Sequence, residues 1–98
     1  MLNLVTVSRE LPTTVSIPEW VLWQEVGDEI VLLDVNGGEY HGLNDVGSRI
    51  WRALEQHEDV TSAYEHLCGT YEVDPGVLRD DLDEFIKRLV GMGLLSVP

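Results

Sequence analysis

Hydrophobic and polar positions follow a strand pattern in the first half of this chain and a helical one in the second. Trp20–Val26 (WVLWQEV) is aromatic and β-branched and ends at Gly27-Asp28, a plausible tight turn. Glu29–Val35 (EIVLLDV) is a nearly continuous apolar run, suited to a strand covered on both faces. Asn36-Gly37 follows, the strongest short hairpin signal, because a type I′ turn needs positive φ at both central residues. Gly38–Leu43 (GEYHGL) then returns as a shorter and more polar strand. Three sequential strands joined by short turns predict an antiparallel meander with its third strand at an edge.

From Asn44 onward the apolar spacing is helical. Asn44 is placed to cap a helix over Asp45–Leu54, with Val46, Ile50 and Leu54 on one stripe and Trp51 beside them. Ser62-x-x-Glu65 fits a capping box, with Thr61 competing for the cap, and opens a helix carrying Tyr64, Leu67, Cys68 and Tyr71. Asp74-Pro75 reads as an N-cap followed by Pro at the first helical position, with Val73 and Leu78 at staple spacing. The third helix buries Leu78, Leu82, Phe85, Ile86 and Leu89 and stops near Gly91 and Gly93. The expected fold class is α+β, a three-stranded antiparallel sheet followed by three helices. Residues 1–19, interrupted by Pro12 and Pro18, read as an N-terminal arm or irregular lead-in, and residues 20–98 as the domain.

Composition narrows the function. The 98 residues carry 18 acidic and 6 basic side chains, a formal net charge of -12. Phosphate binding depends on Lys and Arg releasing counterions, so nucleic acid is not an expected partner, and an anionic membrane is excluded on the same ground. No Lys or Arg lies between Arg9 and Arg49. A basic peptide or protein is mildly favoured by such a field. Cys68 is the single cysteine, so no internal disulfide forms, and a reducing, cytoplasmic setting is expected. Neither a signal peptide nor a spanning apolar run is found.

Catalytic chemistry has little to stand on. His41, His57 and His66 form neither an HExxH motif nor a Cys/His ladder, so no metal and no cofactor is expected. Cys68 and His66 are two apart on a helix and face different directions, and Cys68 falls on the apolar stripe as a small core residue. Asp80-Asp81 and Asp83-Glu84 read as a solvated helix face. A winged-helix DNA binder would need basic groups on its third helix, where Arg79, Lys87 and Arg88 are outnumbered by Asp80, Asp81, Asp83 and Glu84. A binding module remains. An exposed third strand invites another strand, and Gly38 and Gly42 would let a guest backbone approach. From the residues alone, glycines that serve only the hairpin and the strand-to-helix corner fit equally well.

The run Val31-Leu32-Leu33-Asp34, then Gly38-x-Tyr40-x-x-Leu43-Asn44 and Ile50-Trp51-x-x-Leu54, resembles the PqqD-like family, the recognition elements of ribosomally made, post-translationally modified peptide pathways. Tyr71-x-Val73-Asp74 and Gly93-Leu94-Leu95 fit the same pattern, and the similarity spans roughly residues 20–96. The resemblance implies a winged helix-turn-helix-like fold and a protein that binds the leader of a precursor peptide without catalysing a reaction. In that family the leader adds to the third strand and lies against the third helix. By position, the backbone contacts would fall on Glu39, Tyr40, His41 and Gly42, and the helix wall would draw on Leu78, Asp81, Leu82 and Phe85.

A free-standing chain of this size looks most like the recognition protein of lasso peptide pathways, which brings the precursor to a partner cysteine-protease-like leader peptidase. Leaders there commonly present a Tyr and a Pro, which implies a hydrophobic pocket between strand and helix. Glu39 stands where a basic residue is common in the family, and His41 where a second aromatic is common. The peptide chaperone of pyrroloquinoline quinone biosynthesis is the sibling reading.

Overall fold

Alternating and helical patterns resolve, in a computed structural model that describes residues 11–98, into the order β-β-β-α-α-α. Strands β1 (Val21–Val26), β2 (Glu29–Asp34) and β3 (Glu39–Gly42) form one antiparallel sheet in that order. Helices α1 (Asp45–Gln56), α2 (Val60–Thr70) and α3 (Pro75–Gly91) follow. The sheet lays Val21, Ile30 and Leu32 onto a core built from all three helices, including Trp51, Leu67, Leu78 and Leu82. Trp23 meets Trp51 edge-on, with ring centroids 6.3 Å apart. That geometry suits the ring quadrupoles.

Two of the three helix starts match the sequence pattern. Asn44 Oδ1 accepts the Gly47 N–H at 2.8 Å, and Asp74 Oδ2 accepts the N–H groups of Gly76 and Val77 at 3.0 and 3.2 Å. Helix α2 begins earlier than its capping box suggests. Asp59 is the cap, accepting the Ser62 N–H, because starting there buries Val60. The face it buries is Val60, Ala63 and Leu67. Cys68 lies beside that stripe and is exposed, not in the core where its spacing had put it, because the stripe that packs inward runs through Val60, Ala63 and Leu67. Helix α3 ends in a Schellman motif: Gly93, at φ 77°, donates to Val90 C=O and Leu94 to Leu89 C=O.

The β2–β3 turn also departs from expectation. Asp34 pairs with Glu39, which leaves four loop residues where a two-residue turn at Asn36-Gly37 was expected. Asp34 Oδ1 accepts the Gly37 N–H at 3.0 Å, and positive φ falls on Gly38. A Cβ on Gly37 would lie 2.9 Å from Asp34 Oδ2, so glycine there lets the carboxylate close the turn.

Of the expected lead-in, residues 1–10 lie outside the described residues. Residues 11–19 are bound into the domain at several points. Ser16 and Ser96 exchange backbone hydrogen bonds at 2.8 and 2.9 Å, and Thr13 C=O accepts the Val60 N–H at 3.0 Å. Leu11, Val15 and Ile17 pack against the core.

Candidate functional site

Strand β3 is the edge of the sheet, and its hydrogen-bonding parity decides which residues can meet a guest. In an antiparallel pair, opposed residues alternate between exchanging both backbone bonds and exchanging none. Leu43 N–H donates to Ile30 C=O at 2.9 Å, and the register places His41 opposite Leu32 and Glu39 opposite Asp34. These alternate rungs turn the backbone of Glu39, His41 and Leu43 towards β2. Across β2, Val35 N–H donates to Trp20 C=O at 2.9 Å, so the intervening residues bond to β1, as the same parity requires. Tyr40 and Gly42 consequently direct their N–H and C=O groups to the open side. Of the four strand residues named from the sequence, two offer backbone pairing there.

Ser48 fixes the end of this strand. Its fully buried hydroxyl accepts the Ile30 N–H at 2.9 Å and donates to Leu43 C=O at 3.2 Å. Helix α1 is thereby tied to the last rung, and Gly47 beside Ser48 meets Phe85: a Cβ there would lie 3.3 Å from the ring. The close approach of α1 to α3 closes one end of a depression beside β3.

That depression, about 400 Å³, is lined on the strand side by Gly42, Leu43 and Asn44 and on the helix side by Asp81, Glu84, Phe85 and Arg88. Asp81 and Phe85, two of the four helix residues named from the resemblance, are among its lining. Leu78 and Leu82 are 0 % exposed and sit in the core. They face away from solvent because the α3 stripe at Leu78, Leu82 and Leu89 packs inward, whereas Asp81, Glu84 and Arg88 form a row on its flank. Phe85 belongs to both faces. His41 is half-buried with Nε2 3.7 Å from Glu39 Oε1, and Tyr40, 73 % exposed, stands on the outer face of the sheet.

Sequence reasoning missed Leu43, Asn44, Val46, Gly47, Glu84 and Arg88. Four of these belong to the strand-to-helix corner, which reads as a cap and a helix start until α3 is laid against it. Electrostatically the groove is acidic at Asp81, while Glu84 is opposed by Arg88 at 3.7 Å. Lys87 pairs with Asp83 at 3.0 Å on the far side of α3. Among the described residues no group of three or more His, Cys, Asp or Glu is placed to hold a metal ion, and no helix is long and apolar enough to cross a membrane. What the site offers is a strand edge unpaired among the described residues, a part-apolar groove and a negative rim, which is chemistry suited to an extended peptide.

Solved structures share this fold. A solved structure of TbiB1 in complex with the TbiA(beta) leader peptide is 36% identical, covers 82% of this chain and 93% of its own, and superposes with a TM-score of 0.76. A lasso peptide synthetase B1 complexed with the leader peptide is 25% identical, with coverages of 86% and 98% and a TM-score of 0.68. No curated protein matches. The family model for coenzyme PQQ synthesis protein D (PqqD) matches residues 29–95, from the start of β2 to the buried Leu95, and the chain belongs to that family.

Proposed function

We propose that this protein binds the leader region of a ribosomally made precursor peptide by strand addition to β3 and delivers it to a partner leader peptidase in lasso peptide biosynthesis. The observation that carries this reading is the bound leader peptide in two solved relatives that match over nearly their whole length. The unpaired N–H and C=O groups of Tyr40 and Gly42 supply the means. Glu39, His41, Asp81 and Phe85 surround the guest, and Leu78 and Leu82 support it from the core.

The mechanism is recruitment. A leader held at micromolar affinity involves about 8 kcal/mol of net binding free energy. Backbone pairing plus two or three filled pockets covers that after the cost of ordering a flexible peptide. Holding the precursor beside the peptidase raises its effective concentration and leaves the bond-breaking to the partner. This protein then needs no cofactor and acts as a carrier in the cytoplasm.

The family's description favours a second partner, the machinery of pyrroloquinoline quinone biosynthesis. The leader-bound relatives favour the lasso reading. A fluorescein-labelled TbiA(beta) leader peptide should give a saturable polarisation change with the purified protein. Added to the leader peptidase of a lasso pathway, the protein should accelerate leader removal and leave the precursor intact on its own. Absence of binding to this and other lasso leaders would sink the proposal.

A further inference from the structure

The outer face of the sheet, which covers no part of the core, is strongly apolar. Leu22, Val26 and Tyr40 are more than half exposed there, and with Gln24, Val31 and Leu33 they line a depression of about 340 Å³. Strand parity sets these residues on one face: Leu33 opposes Leu22 and Tyr40, and Val31 opposes Gln24 and Gly42. Gly42 leaves a gap in that surface. A Cβ built on it would meet none of the described residues within 4 Å, and its φ lies outside the positive range that favours glycine. Its lack of a side chain is thus required by neither backbone conformation nor crowding in the free protein.

A guest strand beside β3 has to send alternate side chains onto this same face, in either strand direction. A large side chain set next to a strand glycine packs across it onto the residue beyond, here Val31, with the Tyr40 ring as a wall. We propose that the outer face is a second subsite for the leader. The guest residue beside Gly42 is a large apolar or aromatic side chain lying over Gly42, against Tyr40 and Val31. This rests on the leader-binding reading above. It adds that the peptide is read on both faces of the sheet, by the α3 groove within and by the Tyr40–Gly42 surface without. The occupant is the leader itself because the patch is continuous with the strand edge that would hold it, whereas a second copy would bring a like net charge of -12 against the same face.

The test is a positional scan of the TbiA(beta) leader peptide, each residue changed in turn to Ala and to Phe, against the parent protein, Gly42→Val and Tyr40→Ser. Valine suits a strand and meets open space, so the fold should persist, with circular dichroism as the check. One guest position is expected at which the parent loses roughly five- to tenfold in affinity on Ala substitution. Gly42→Val should abolish or invert that size preference, and Tyr40→Ser should weaken it. If no position changes its size preference between parent and Gly42→Val, the outer subsite is overturned, while weaker binding with Gly42→Pro would still uphold strand addition. If the parent binds no version of the peptide, both readings fall. Dimerisation in sedimentation experiments that Leu33→Ser removes, with peptide affinity unchanged, would assign the face to self-association and also overturn the inference.

Discussion

The two walls of the groove are built on different principles. The β3 wall is four residues long and acts through backbone, with Tyr40 and Gly42 presenting hydrogen-bonding groups that any extended peptide can use. The α3 wall is seventeen residues long and acts through side chains, with one face spent on the core and the other on Asp81, Glu84 and Arg88. In the proposed binding mode the backbone of the strand holds a guest whatever its sequence, and selection falls to side chains, those of α3 on one face and the Tyr40–Gly42 surface on the other. Their separate failures should be measurable.

The largest effect belongs to the core face of α3. Leu82→Ala should cost about 2–5 kcal/mol, because Leu82 is fully buried and its removal leaves a cavity. Asp81→Asn, one residue away on the groove face, should change stability by less than about 0.5 kcal/mol. Urea titration of both variants checks this, and equal costs would erase the distinction between the faces.

On the strand wall, proline separates the two parities. His41→Pro removes an N–H used in the ladder to β2 and should destabilise the protein by about 1–3 kcal/mol. Gly42→Pro removes an N–H that points to the open side, so stability should hold while peptide affinity falls by about 0.5–1.5 kcal/mol. A reversed pattern in thermal melts and polarisation titrations would show that the parity is misassigned.

Ser48→Ala should cost a further 1–3 kcal/mol, about as much as a buried N–H left without a partner. It should also loosen the end of β3, seen as faster amide exchange at Leu43. The smallest effect is acid dependence at α2. The Ser62 backbone N–H, and to a lesser extent its side chain, hold the Asp59 carboxyl below its ordinary 3.8. A carboxyl lowered on folding stabilises the protein above its unfolded value, and that contribution is lost as pH falls through the folded value. Asp59→Asn should flatten this part of the acid limb in pH-dependent melting. An unchanged acid limb would remove Asp59 from the account.

Much of this architecture is legible in the sequence because local signals and tertiary demands agree. The three-strand meander over Trp20–Leu43, the Asn44 cap and the Asp74-Pro75 start each match what the fold uses, although β2, expected to be covered on both faces, is covered by the core on one face alone among the described residues. The misreadings occur where two local signals compete and a distant contact decides between them. Ser62-x-x-Glu65 loses to Asp59 because burying Val60 outweighs the box, and Cys68 is left outside because the tertiary contacts take up the Val60–Ala63–Leu67 stripe. Asn36-Gly37 yields to a longer turn because the Asp34 carboxylate binds Gly37 N–H.

The groove was half legible for a similar reason. Spacing placed Leu78, Leu82 and Phe85 in the core and Asp81 on a solvated face, whereas the family resemblance, transferred by position, drew the groove wall from all four. Gly47 and Arg88 acquire their place only when α1 closes on α3. Residues 11–19 illustrate the same limit, since Ser16 meets Ser96 across nearly the full length of the chain.

Amide hydrogen exchange of Tyr40 and Gly42, measured by NMR with and without saturating TbiA(beta) leader peptide, tests strand addition most directly. His41 N–H, already bonded to β2, should be protected in both states. Tyr40 and Gly42 N–H should exchange quickly in the free protein and slow by an order of magnitude or more, roughly one backbone bond's worth, when the peptide binds. A peptide that saturates the protein and leaves both amides exchanging at their free rates would contradict strand addition at β3.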